Sequence, residues 1–391
     1  MVGSEKYECC GCSACAEACV KGCIMMKSDE EGFMYPITNE SECISCGLCA
    51  KVCPERNVLE EKKPLHVYAA RNLNDEVRGR SSSGGIFYLL AQKILSKKGI
   101  VFGVRFDEKQ MAVFDYAQNT QELERLMGSK YVQAQVGDTY KKVKSFLRDG
   151  LWVMFSGTPC HIAGLKRYLR KDYEKLLTVD IACHGVPSPK VWNKYIDELQ
   201  EKNGKIQSIN FRSKYKGWKN FMFSVSYIKN NKATQSRTPF WNNLFMRAFL
   251  SDLILRPSCY LCKFKGGRSG SDITLGDYWG IQYIKPNMDD DKGTSIILIN
   301  TTKGYDALDF DKIKSEETTY SQGYSMNPAL LNSPNQPLKR AEFFEKINDK
   351  ECVGVLMNKM LQSSWKERIK RRLKICKLYA THLNFSCIKN K

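Results

Sequence analysis

Three observations in this 391-residue sequence predict an α+β / α/β chain in three parts: a small cysteine-rich head, a mixed α/β body and a basic helical tail. Two evenly spaced cysteine runs lie before residue 54, strand-like and helix-like stretches alternate from about residue 66, and Lys and Arg crowd the last thirty residues. The parts are read as 1–63, 64–345 and 346–391, the first boundary falling where EEKKP ends the cysteine-rich stretch.

The head comes first. Six cysteines between Cys9 and Cys23 suggest a disulfide framework, but 42% hydrophobic residues over this length build an ordinary core that needs no staples. MVGSEKYE lacks a secretory signal, and no apolar run approaches the ~20 residues of a membrane span, so a cytoplasmic protein is expected. Thiols there stay reduced, and an odd total of seventeen cannot pair completely. Metal binding or redox chemistry remains. The runs Cys9-x2-Cys12-x2-Cys15-x3-Cys19 and Cys43-x2-Cys46-x2-Cys49-x3-Cys53-Pro54 have the bacterial two-cluster ferredoxin spacing, in which the fourth cysteine of each run ligates the other cluster. One 4Fe-4S cluster is then assigned to Cys9, Cys12, Cys15 and Cys53, the other to Cys19, Cys43, Cys46 and Cys49. Structural zinc usually takes two separated CxxC pairs instead. Cys10 and Cys23 are left over and are read as small buried apolar side chains. The head is read as a separately folded unit.

The body follows. Strands are expected at IVFGVRF (100–106), LWVMFS (151–156), LLTVDIAC (176–183) and NFMFSVSYI (220–228), and helices at GGIFYLLAQKILSKK (84–98), IAGLKRYLRKDYEKL (162–176) and KVWNKYIDELQEKNG (190–204). Ser81, Ser82, Ser83, Gly84 and Gly85 precede an apolar helix, where free N–H groups and hydroxyls suit an anion such as a pyrophosphate; an ordinary serine cap has the same sequence. Lys130 is a nearby cation for the same phosphates. Gly157 and Thr158 end a strand before a helix, where α/β sheets open their ligand crevice. Cys160, Cys183, Cys259 and Cys262 lie at chain breaks and form a one-plus-one-plus-two ligand set for a third 4Fe-4S cluster; zinc would take the same four thiolates, and Cys160 and Cys183 also suit core thiols ending strands.

The stretches SSSGGIF, GSKYVQAQ, FSGTPCHIAGLKRYL, IACHGVPSP, INFRSKYKGW and RPSCYLCKFKGGRSGSDITLGDYWG resemble the coenzyme F420 hydrogenase/dehydrogenase beta-subunit family in its bacterial form with a fused ferredoxin head. The resemblance covers roughly residues 66–300. It implies a flavoprotein carrying FAD and iron-sulfur clusters that moves electrons between a one-electron carrier and a two-electron substrate. Relatives take substrates from the deazaflavin coenzyme to chlorophyll derivatives, and bacterial ones lie among cell-surface polysaccharide functions. FAD is therefore assigned to Ser81–Gly85, Lys130, Gly157 and Thr158. His161, His184 and Asp277 are candidate general acids and equally suit structural hydrogen bonding. Arg212, Lys214 and Trp218 suit an anionic or ring-bearing substrate, or a solvated basic edge with one buried indole.

The tail closes the chain. Trp365, Ile369, Leu373, Cys376 and Ala380 share one helical face amid Lys and Arg, which suits peripheral contact with an anionic membrane at the inner face, an acidic partner, or packing on the body. Residues 1–63 carry seven basic and eleven acidic side chains, leaving +23 on the remainder of a chain at +19. The basic body suggests an acidic electron carrier such as ferredoxin, and specific nucleic-acid binding is not expected without a recognised reading module. The expected function is an iron-sulfur flavoprotein oxidoreductase acting on a small organic substrate. Its rivals are an electron-transfer subunit whose substrate site lies on a partner, and a zinc-stabilised nucleic-acid binder.

Overall fold

The computed structural model describes residues 5–348 and 351–362. Its strands, in chain order, are β1 (Ile24–Ser28), β2 (Met34–Thr38), β3 (His66–Asn72), β4 (Ile100–Phe106), β5 (Ala112–Ala117), β6 (Val153–Gly157), β7 (Leu176–Ile181), β8 (Lys205–Ser213), β9 (Met222–Lys229), β10 (Lys232–Pro239), β11 (Ile273–Asp277), β12 (Ser295–Ile299) and β13 (Ile313–Glu317). Eight of them form one mixed sheet in the order β13-β3-β12-β11-β7-β6-β4-β5. Its centre, β4-β6-β7-β11, is parallel, and antiparallel strands extend it on both sides. The near-continuous apolar character of β6 and β7 follows from that position, because parallel strands are covered on both faces. A second, three-stranded antiparallel sheet is built from β8, β9 and β10.

Helices fall close to where local chemistry starts and stops them. Helix Pro189–Asn203 begins at Ser188, whose hydroxyl accepts from the Val191 amide, and ends at Gly204 in a positive-φ conformation. Helix Pro159–Leu169 begins three residues before its expected start, since Pro159 fits the first turn, and stops at Arg170 in the left-handed region instead of running to Leu176. Helix Ile86–Ser96 starts after Gly85 (φ 81°) with no side-chain cap. Among the described residues no helix is long and apolar enough to cross a membrane. The basic amphipathic stretch expected from Ser363 onward lies outside the described residues.

The head packs directly on the body. Its Cys10, Cys12, Ala14, Phe33, Tyr35 and Val52 belong to the same apolar core as β4, β6 and helix Pro189–Asn203 of the body. Polar ties reinforce the joint: Glu17 accepts from the Tyr140 and Lys141 amides at the start of helix Thr139–Arg148, and Arg340 forms a bidentate pair with Glu31 while donating to the Leu255 carbonyl. Cysteine spacing alone did not announce this packing, because it reports ligands and says nothing about what the outer faces of the loops touch.

Candidate functional site

Three adjacent parallel strands end on one edge of the large sheet and carry chemistry there. Gly157 of β6 lies opposite Asp180 of β7, and Leu275 of β11 opposite Ile181, so Cys160, Cys183 and Asp277 follow at neighbouring strand ends. Ser295 of β12 pairs with Asp277 and brings the Ser81–Gly85 turn to the same edge, because the Gly84 amide donates to its hydroxyl at 2.9 Å. Strands stand ~5 Å apart, so these groups form one line along the carboxyl edge, where α/β sheets hold ligands.

The head thiols gather in two places. Cys9, Cys12 and Cys15 meet Cys53, from the second run, on the wall of a cavity of about 150 Å³. Cys19, from the first run, packs with Cys43 and Cys49 around Cys23 and Ile24, and Cys46 is exposed nearby in sequence. The body thiols form a third group. Burial, then the neighbouring thiols, raises Cys183, Cys259 and Cys262, with Cys259 pushed up to about 12; Cys160 is raised by its hydrogen bond to Cys10 and then by burial. Such thiols hold their protons until a metal displaces them. Cys10, set aside from the sequence as a bystander, is 8% exposed, and its titration responds to the Cys12 and Cys160 thiols, one from the inner head group and one from the body group. The sequence offered no signal for this interaction beyond the extra thiol itself. Among the described residues no three His, Cys, Asp or Glu side chains converge on a point that a single ion would fill.

The residues expected to hold a flavin are largely engaged within the protein. Ser81 donates to the Val77 carbonyl and Ser83 to the Thr294 carbonyl, while the Ser82 hydroxyl accepts from the Ser129 amide and hydroxyl. A Cβ on Gly84 would stand 2.5 Å from the Ala70 carbonyl oxygen, so this glycine is needed for packing against β3 and β12 and faces no open phosphate site. Lys130 departs from expectation: its ammonium donates to the Arg125, Met127 and Gly128 carbonyls, closing helix Thr120–Leu126 rather than meeting an anion. Thr158 bonds Cys160 and His161, and Gly157 is packed against Phe114 and Phe155, so this turn serves the thiol group. The uncapped amides at the start of helix Ile86–Ser96 remain.

The proton-transfer candidates separate clearly. His161 is 3% exposed, burial and then the Arg256 charge lower its pKa to about 4, and it packs edge-on against Phe114, as a buried neutral imidazole would. Asp277 is an acceptor, receiving a bidentate Arg212 at 2.8 and 3.1 Å and the Trp218 indole at 2.9 Å, so the general-acid role does not fit it. His184 is partly exposed and bonds Asp252 at 2.5 Å, the geometry of an oriented imidazole.

Arg212 also lies over Phe221 and Trp279, and Trp218 stacks on Trp279 with centroids 4.6 Å apart. Tyr131, one residue beyond Lys130, contacts Arg212 at 3.2 Å and stacks on Phe249. The sequence drew attention to the lysine of GSKY, whereas Ser129 and Tyr131 on either side face the edge. Lys214 donates to the Arg78, Ser83 and Lys292 carbonyls and thereby ties the β8 loop to the serine turn.

The arrangement sets two groups of head thiols and a set of body cysteines on an α/β body, and two stretches of the chain match known family models. Residues 8–57 match the 4Fe-4S dicluster domain, and residues 151–321 match the C-terminal family of the coenzyme F420 hydrogenase/dehydrogenase beta subunit. One solved structure, from the xenon-derivatised F420-reducing NiFe hydrogenase complex of Methanosarcina barkeri, is similar at 17% identity over 66% of this chain and 83% of the other, with a TM-score of 0.44. Comparison with curated proteins found no match.

Proposed function

We propose that the chain is an iron-sulfur flavoprotein oxidoreductase that takes electrons from a one-electron carrier such as an acidic ferredoxin and delivers them in pairs to a small organic substrate, sugar-linked by the family resemblance. The observation that carries this reading is thiol grouping: Cys9, Cys12, Cys15 and Cys53 line one cavity together with Cys10, and Cys10 interacts electrostatically with Cys160 of the body, so centres held there would lie in series. Cys9, Cys12, Cys15 and Cys53 would hold the inner head cluster, Cys19, Cys43, Cys46 and Cys49 the outer one, and Cys160, Cys183, Cys259 and Cys262 a body cluster. Two runs at matched dicluster spacing suit cubes better than structural zinc, which usually takes two separated CxxC pairs. When bound, the clusters supply one-electron steps and FAD pairs them.

The flavin is placed along the carboxyl edge, with its phosphates at the free amides of helix Ile86–Ser96. Arg212 is held by Asp277 beside the Trp218–Trp279 stack, where a ring system finds both an apolar face and a fixed charge. His184, oriented by Asp252, is the residue assigned to hold a proton for the substrate. The test is anaerobic reconstitution of the full chain with iron, sulfide and FAD, followed by metal and flavin analysis and low-temperature electron paramagnetic resonance. About twelve irons, four per cube, and one FAD per chain are expected. A colourless protein that holds zinc and rejects iron would overturn the reading, and iron without flavin would overturn its flavin part. The matched family is that of a beta subunit, which favours as a second reading an electron-transfer subunit with the substrate site on a partner. That reading is tested by looking for substrate turnover in the isolated chain.

A further inference from the structure

Arg256 stands three residues before Cys259 and is 0% exposed. Its guanidinium donates to the Cys9 carbonyl at 2.8 Å, the Met34 carbonyl at 3.1 Å and the Gln133 side-chain oxygen at 3.1 Å, and lies 4.1 Å over the Tyr35 ring. Among the described residues no carboxylate pairs with it; Glu55, an acid on the wall of the same cavity, pairs instead with Lys263 at 3.6 Å. Gln133 is itself buried and also donates to the Cys10 carbonyl, so the Cys9–Gly11 loop rests on these two body side chains. Gly11 has φ 72°, and a Cβ there would stand 2.6 Å from the Gln133 amide nitrogen and 2.9 Å from the Arg256 guanidinium. Glycine at this point lets the loop settle directly onto the cation.

A charge out of water costs several kcal/mol unless compensated, and Arg256 has three neutral acceptors, one aromatic face and only the field of Glu55, a carboxyl already shared with Lys263. The anion missing from this site is the one that four thiolates and their cluster would bring. We propose that Arg256 is the buried countercharge of the inner head cluster and holds its reduction potential up. The inference rests on the assignment of Cys9, Cys12, Cys15 and Cys53 as that cluster's ligands. Reduction adds one electron to the cluster and moves no bond, so a fixed positive charge beside it stabilises the reduced form. Arg256 acts through field and loop position and is a positioning residue.

The test is a redox titration of the reconstituted full chain, followed by electron paramagnetic resonance, on wild type, Arg256→Met and Arg256→Lys. Signals are assigned to inner and outer head clusters by their loss in Cys12→Ser and Cys46→Ser. In Arg256→Met the inner cluster should become at least about tenfold harder to reduce, ~59 mV for a one-electron couple, with the outer cluster unmoved. Arg256→Lys should restore most of that shift. If Arg256→Met loses the inner cluster while Arg256→Lys keeps it, the charge requirement stands. Unchanged inner potential in Arg256→Met overturns the proposal, as does loss of the cluster in both variants, which would mark a purely steric role. Absence of any cubane signal in wild type would defeat the ligand assignment instead.

Discussion

The Cys23 thiol lies 3.4 Å from that of Cys19, close enough to take over its place at the outer head group. Cys19→Ala alone should therefore retain close to the full iron content with an altered spectrum, whereas Cys19→Ala with Cys23→Ala should lose about four irons, as iron analysis would show. An equal loss from the single variant would make Cys23 a bystander. Gly11 is less forgiving: Gly11→Ala combines a left-handed backbone with a contact below van der Waals distance and should cost about 2–4 kcal/mol in chemical denaturation. At this scale spacing made much of the site legible, since which cysteines group in space follows from runs of fixed length. Arg256 and Tyr131 were not legible, because nothing local marks a side chain whose partner lies far along the chain.

Helix Thr139–Arg148 takes no cap from its own Asp138 side chain and receives Glu17 of the head instead. Burial raises the Glu17 pKa to about 7 against 4.5 in water, although the two amides oppose the shift. The folded protein therefore binds a proton that the unfolded chain does not between about pH 4.5 and 7. The burial penalty is full above pH 7 and is relieved as the pH falls through that window. Wild type should gain about 2 kcal/mol from this group between pH 8 and 5.5, and Glu17→Gln should lack that gain in paired thermal melts. The strands at 100–106 and 176–183 were legible from their β-branched and aromatic runs, and the three-residue error at helix Pro159–Leu169 came from overlooking a proline that fits a first turn. The pairing of β11 with β7 was not legible, since more than ninety residues separate them and short apolar runs do not name their neighbours.

Taken whole, the cysteine-rich corner shares the largest apolar core of the molecule, while further cores pack against the large sheet. A chain beginning at His66 should expose the apolar face left by Phe33, Tyr35 and Val52 and leave Arg256 without its Cys9 and Met34 acceptors; it should aggregate or bind a hydrophobic dye while the full chain stays monodisperse. A soluble, cooperatively melting fragment would contradict the shared core. Breaking the clasp should be severe as well: Glu31→Ala leaves Arg340 buried without its partner and should cost about 3–5 kcal/mol by denaturant titration. That clasp joins residue 31 to residue 340 and so sets a timetable for synthesis. The head thiols leave the ribosome early, but the cation beneath them arrives with residue 256, roughly 10–40 s after Cys53, and the clasp with residue 340, roughly 15–60 s after it, at ordinary elongation rates. Until then the most oxidisable part of the chain has no floor and no latch. Under the proposed ligand assignment, oxygen damage during translation should fall on Cys9–Cys53 before any other segment.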